Sequence, residues 1–228
     1  FIGECCRLYL LNIYTQIETT YVPTSFTKKK LIQDGFRIDG VNTLKIWGRG
    51  IDTHVFYPLE DDSLRSRFRC TQGISQDAIV VLWVGRVVKE KGIDLWLRCV
   101  KRLKSRFPKV VSIVVGNRMN SSIFKPYSSF VKCIGWIGDP EKLRLVYGSS
   151  DIMFFPSSVE TFGNVTLEAM ACGLPVVVDK YCSGHLVEDG MTGFGVESLD
   201  ENAYYDALCM LTTSRKLRER FGRAGLRK

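Results

Sequence analysis

Glu160 and Glu168 stand eight positions apart, with Phe162-Gly163-Asn164 between them and Ala169-Met170-Ala171-Cys172-Gly173-Leu174-Pro175 after them. Carboxylates accept hydrogen bonds from paired hydroxyls. A turn that runs into a helix leaves backbone N–H groups unpaired, and those favour a phosphate. The arrangement therefore suits an anionic, hydroxyl-rich ligand, and packing alone explains it poorly. Val165, Leu167, Ala169, Met170 and Ala171 make the segment after the turn apolar nearly all round, so it is expected to be buried. A buried Glu168 needs partners, and paired ribose hydroxyls would serve. Glu160 cannot favour phosphate. It accepts from sugar hydroxyls or, on the plainer account, serves the helix dipole.

Two cations complement these carboxylates. Arg86 and Lys91 lie in Gly85-Arg86-Val87-Val88-Lys89-Glu90-Lys91-Gly92. Glycine lets the backbone approach a ligand closely, and an arginine and a lysine together can neutralise a diphosphate. Taken by itself the segment also fits a solvated basic loop. His54 and His185 lack the Ser or Cys partner pattern of a triad and are read as structural. The Gly85 and Gly116 turns carry no G-x-G-x-x-G, which argues against a dehydrogenase. The eight cysteines are scattered without a Cys-x-x-Cys pair, so a zinc site is not expected. They are read as mostly reduced, buried thiols of a reducing compartment.

The elements that position these residues follow from periodicity. Ile79–Val84 reads as a strand buried on both faces and ends at Gly85-Arg86. Ile93, Trp96, Leu97, Val100, Leu103 and Phe107 fall at helical spacing, closed by Pro108. Strands are expected at 110–115, 131–134, 152–155 and 175–178. Helices are expected at 140–147, 164–172, 201–211 and 214–224, with Pro140 in a first turn and Gly173 as a stop. This β-α-β-α order specifies an α/β fold, a Rossmann-like doubly wound parallel sheet. Ligands of such sheets bind beyond the carboxyl ends of the strands, where Gly85-Arg86, Gly116-Asn117, Gly135-Trp136 and Ser157–Glu160 all fall.

Residues 1–50 differ in character. A helix (4–18), a short strand (20–23), a second helix (27–35) and Leu44-Lys45-Ile46-Trp47 lead into the turn-rich Gly48-Arg49-Gly50-Ile51-Asp52. They read as the tail of a preceding domain and a hinge, with 51–228 as the main domain. Residues 60–76 are polar and read as a surface loop plus a short helix. The chain opens without a methionine and inside a helical pattern, so it reads as a fragment.

With 45% hydrophobic and 25% charged residues among 228, the chain is an ordinary globular protein able to bury a sizeable core. No apolar run reaches the roughly 18 residues of a membrane span, and no segment of this sequence reads as the basic and apolar regions of a signal peptide. The net charge of +8 is spread along the chain, which does not support nucleic-acid binding. It permits contact with an anionic membrane surface. Most charges of 98–106 and 215–228 are read as solvated helix faces.

Together these residues resemble the family-4 retaining glycosyltransferases of the GT-B fold. The matching pieces are Gly48–Asp52 with Phe56 and Pro58, Gly85-Arg86 with Lys91-Gly92, and Asp151 with Pro156-Ser157. Glu160 through Val177 and Asp189-Gly190-Met191-Thr192-Gly193 complete the set. The resemblance implies the carboxyl-terminal, nucleotide-sugar-binding half of such an enzyme, with a remnant of the amino-terminal acceptor domain. It implies that Arg86 and Lys91 hold the donor diphosphate, that Glu160 contacts the sugar, and that Glu168 contacts the ribose. Gly85, Phe162, Gly163, Asn164 and Val165 would line the phosphate and sugar, and Trp136 and Ile137 the base. Transfer would proceed with retention from a UDP- or GDP-sugar such as GDP-mannose. The nucleotide sugar is a substrate, and no cofactor or metal is implied. The acceptor stays unassigned, a lipid and a glycan both being permitted. The expected location is cytoplasmic, with peripheral membrane contact permitted, and this half alone is expected to be inactive. Two segments depart from the family: Gly116-Asn117-Arg118-Met119 replaces the frequent Gly-Asp/Glu-Gly-Pro, and Ser183-Gly184-His185 replaces the frequent Gly-Gly. A non-catalytic nucleotide-sugar-binding module and a sugar epimerase of similar fold are the competing functions.

Overall fold

The computed structural model describes residues 2–14, 16–36, 43–48, 50–117 and 121–228. Arg49, Arg118 and Met119 of the motifs above lie outside them. The chain divides into two compact units, Phe1–Gly50 and Ile51–Lys228.

In the first unit, helix α1 (Ile2–Tyr14) precedes strand β1 (Thr19–Val22), helix α2 (Ser25–Gln33) and strand β2 (Thr43–Ile46). β1 and β2 pair in parallel from Thr19↔Thr43 to Val22↔Ile46. Thr24 caps α2 by accepting from the Thr27 N–H. Val22, Phe36 and Leu44 form a small core flanked by Leu11, Tyr14 and Leu31.

The second unit runs α3 (Asp62–Thr71), β3 (Ile79–Val84), α4 (Ile93–Arg106), β4 (Val110–Val115), α5 (Ser121–Phe124), β5 (Val131–Gly135), α6 (Pro140–Gly148), β6 (Ile152–Phe155), α7 (Asn164–Ala171), β7 (Val176–Asp179), β8 (Gly193–Val196), α8 (Glu201–Thr213) and α9 (Arg215–Arg227). Six strands form one sheet in the order β5-β4-β3-β6-β7-β8, and all five ladders are parallel. Val80–Trp83, Ile152–Phe154 and Val176–Val178 are fully buried, as strands covered by helices on both faces must be. Strand order reverses between β3 and β6, the pattern of a doubly wound sheet, so the crevice at that reversal is where such a fold binds ligands.

The periodicity placed five strands in this sheet and the structure has six. β8 was not expected because Gly193-Phe194-Gly195-Val196 is half glycine and carries no alternation. Segment 60–76 holds the short helix expected there, α3, with most of its residues at the surface, but Arg69 is 1% exposed, which was not expected. The Arg69 guanidinium donates to the carbonyls of Ser149, Ala78 and Gln76 and to Asp151 Oδ2 at 2.8 Å. Arg65 meets Asp151 Oδ1 at 2.6 Å, and the Val80 N–H donates to Oδ2. This clamp closes the amino edge of the sheet.

The expectation of mostly buried thiols fails as well. None of the eight cysteines is in a disulfide, but only Cys99 and Cys172 are buried, while Cys5, Cys6, Cys70 and Cys133 are exposed. No helix among the described residues is long and apolar enough to cross a membrane.

Candidate functional site

A cleft of about 260 Å³ opens over the carboxyl ends of β3, β4 and β5. Gly85, Arg86, Gly116, Asn117, Trp136 and Ile137 line it from the strand ends. Leu143 of α6 and Val165 and Glu168 of α7 close it from the helices. Arg86 is exposed, and Trp136 projects with 72% of its surface accessible. A flat aromatic face, a guanidinium and a carboxylate therefore surround one opening. Among them they can stack on a ring, neutralise a phosphate and accept from hydroxyls.

Glu168 is half-buried on α7. Burial pushes its carboxyl above the ordinary range, while a hydrogen bond from Tyr147 pulls it back. The Tyr147 hydroxyl donates to Glu168 Oε2 at 2.8 Å. Tyr147 is fully buried, and desolvation beside the carboxylate raises its phenol well above the usual value. The sequence reading did not single out Tyr147, because in Val146-Tyr147-Gly148 it reads as one more core aromatic.

Lys91 and Glu160, assigned to phosphate and sugar by resemblance, meet each other. The ammonium lies 2.7 Å from Glu160 Oε1 and donates to the Val159 carbonyl at 2.6 Å. The pair is largely shielded, with 14% and 13% of the side chains exposed, and it sits outside the cleft described above. Gly92 makes the meeting possible. Its φ is +76°, and a Cβ there would overlap the Pro156 carbonyl oxygen. The loop from β3 thus passes directly against the loop from β6 that carries Val159 and Glu160.

Gly163 is the residue before α7, with φ +95° and no side chain to cap the helix. Its carbonyl accepts the N–H groups of Thr166 and Leu167, and Asn164 at the helix start is exposed. Phe162 is buried, its ring 6.1 Å from His185. Burial lowers the His185 pKa. His185 thus places its ring beside the turn that opens α7.

A larger cavity of about 640 Å³ lies at the opposite, amino edge of the sheet, bordered by Arg65, Arg69, Asp151 and Arg218. Arg69 is saturated by three carbonyls and a carboxylate, and Arg218 Nη1 is turned inward to the carbonyls of Leu211 and Thr212. The candidate cleft is the smaller one, which lies at the carboxyl ends of the strands and carries Arg86 and Glu168. Among the described residues no group of three or more His, Cys, Asp or Glu could hold a metal ion.

The family model described as "Glycosyl transferases group 1" matches residues 65–228. A D-inositol 3-phosphate glycosyltransferase of Kribbella flavida is 31% identical over 195 residues, covering 78% of this chain and 44% of that protein. The chain thus spans less than half the length of that relative. Among solved structures, the C-terminal domain of a glycosyl transferase group 1 family protein (LpcC) of Francisella tularensis matches with a TM-score of 0.67. It is 25% identical, with 78% of this chain and 95% of that one covered. Anabaena Alr3699/HepE in complex with UDP-glucose matches with a TM-score of 0.80 at 20% identity, covering 97% and 61%.

Proposed function

The chain belongs to the glycosyl transferases group 1 family, and from that premise we propose that it is the donor-binding half of a retaining glycosyltransferase of the GT-B fold. The observation that carries this reading is the convergence of Arg86 and Glu168 on one cleft over the carboxyl ends of the strands. Glu168 accepts from the ribose hydroxyls of a UDP- or GDP-sugar, and Trp136 and Ile137 flank its base. Arg86 and the free amides at the start of α7 receive the diphosphate. The sugar extends toward Glu160, which Lys91 holds in place.

In the transfer step the bond between the anomeric carbon and the diphosphate oxygen breaks. The acceptor hydroxyl adds to the same face of that carbon, and its proton passes to the departing phosphate oxygen. Negative charge grows on the diphosphate as the bond breaks, so cations and amides already aimed there stabilise the transition state more than the ground state. A lipid or glycan supplies the hydroxyl, bound by a further domain of the whole enzyme. The Anabaena structure holding UDP-glucose in the same fold supports a nucleotide-sugar ligand.

The test is a thermal-shift panel of UDP-, GDP- and ADP-sugars on the chain. The expected result is stabilisation by at least one donor, abolished in Arg86→Ala and Glu168→Ala. Absence of any shift across the panel would sink the reading. The same reading expects this half alone to bind donor without transferring sugar.

A further inference from the structure

The cleft carries a second layer. We propose that Tyr147 is the positioning residue of the nucleotide site: its phenol fixes the Glu168 carboxylate through Oε2, so that Oε1 accepts from the ribose. This rests on the nucleotide-sugar reading above.

Three observations carry it. Tyr147 has no exposed surface, yet its hydroxyl reaches Glu168 Oε2 at 2.8 Å. The phenol cannot drift, because its ring meets Phe56 edge-on with centroids 6.1 Å apart and planes at 77°. The helix that carries it is pinned in turn, since Arg144 lies over the Tyr57 ring at 4.0 Å and Leu59 covers Gly148. A stretch of four residues, Phe56 to Leu59, therefore sets the position of one hydroxyl on α6. That hydroxyl sets a carboxylate on α7.

The chemistry follows from what a glutamate lacks. Its side chain has several rotatable bonds, and recognition of two vicinal hydroxyls needs one fixed oxygen plane. A donor on Oε2 supplies that plane and leaves Oε1 for the ligand. Burial works against ionisation of Glu168, and a protonated carboxyl would offer the ribose a donor where an acceptor is needed. The Tyr147 hydrogen bond opposes that loss.

The test is calorimetric titration of the 228-residue chain and its Tyr147→Phe variant with UDP and 2′-deoxy-UDP, from mildly acidic to neutral pH. Tyr147→Phe keeps the ring against Phe56 and removes only the hydroxyl. The expected result is a loss of UDP affinity of about five- to thirtyfold, with reduced preference for UDP over the deoxy form. The acid limb of binding moves to higher pH. A role confined to packing predicts none of these. Unchanged affinity, preference and acid limb overturn the proposal while leaving the nucleotide site standing.

The Glu168 carboxyl is titrated in parallel by carbon-13 NMR without nucleotide. An upward shift in Tyr147→Phe is required, and its absence overturns the positioning role whether or not UDP binds. A chain that shows the shift but binds neither UDP nor GDP overturns the nucleotide reading, and the ribose part of this proposal with it. If Tyr147→Phe does not fold, 3-fluorotyrosine at 147 replaces it. This near-isosteric, stronger donor must lower the Glu168 titration, and no movement overturns the proposal.

Discussion

Asparagine in place of Asp151 removes one negative charge from the amino edge of the sheet and turns one of two accepting oxygens into a donor. In the native clamp Oδ1 lies 2.6 Å from Arg65 Nη2, and Oδ2 lies 2.8 Å from Arg69 Nη2. Oδ2 also accepts from the Val80 N–H at 2.7 Å. Arg69 is 1% exposed, so water cannot replace the carboxylate. Desolvation already lowers the Arg69 pKa, the mark of a buried cation held charged by its partners. Removing one partner of a buried pair costs about 3–5 kcal/mol. Arg69 keeps its three carbonyl acceptors and Arg65 is 29% exposed, which places Asp151→Asn at the low end, about 3 kcal/mol. Domains of this size lose about 2–4 °C per kcal/mol, so the melting midpoint should fall by roughly 6–12 °C. Urea denaturation and circular-dichroism melting, read on the 51–228 unit, measure it. UDP affinity should hardly change, because the clamp and the cleft occupy opposite edges. A cost below about 1 kcal/mol for Asp151→Asn, the size of an exposed ion pair, refutes the reasoning.

Three further outcomes are expected. Glu168 has a folded-state pKa raised by burial, so its contribution to stability is present below the unfolded carboxyl pKa and is lost as pH rises through the folded one. Glu168→Gln should therefore be more stable than the parent at neutral pH, with the gap closing in acid, while UDP affinity drops about 10- to 150-fold. Urea curves across pH and calorimetry check the two halves of that statement, and a variant less stable at neutral pH contradicts the first. Gly92→Ala should lose about 1–3 kcal/mol from left-handed strain and overlap with Pro156, read by urea denaturation. In alkylation with iodoacetamide near pH 8, Cys99 and Cys172, both pushed up to about 12 by burial, should stay unmodified in the native protein. Exposed Cys5, Cys6 and Cys70 should react, as mass spectrometry of peptides would show.

The main sheet was legible where a strand is an unbroken apolar β-branched run. Ile79–Val84, Val110–Val115 and Ile152–Phe155 fall at the residues their sequence assigns. β8 escaped because its pairing partner supplies the apolar character, Val176–Asp179 lying beside a strand with two glycines. Arg69 escaped for a longer-range reason. Asp62-Ser63-Leu64-Arg65-Ser66-Arg67-Phe68-Arg69 has the look of a solvated helix, and the acceptors that bury Arg69 include Ser149 and Asp151, some 80 residues later. In the candidate site, the residue types and their strand-end positions could be read, but not which of them touch. That Lys91 would meet Glu160, or that Tyr147 would lie under Glu168, depends on how the loop after β3 passes the loop after β6 and how α6 packs on α7.

The strand order β5-β4-β3-β6-β7-β8 also sets a timetable for synthesis. β3 pairs with β4 soon after both leave the ribosome, but its other edge waits for β6, with residues 85–151 still to be made. At about 5–20 residues per second, roughly 3–13 s pass with the Val81-Leu82 edge of a fully apolar strand unpaired. An open, flat, hydrophobic edge is a template for the wrong partner. Translation speed through 85–151 and chaperone occupancy on nascent chains should therefore decide the yield of this fold more than its final stability does. A slow stretch of codons there would lengthen the exposure, whereas one placed after residue 155 would find the centre of the sheet already closed.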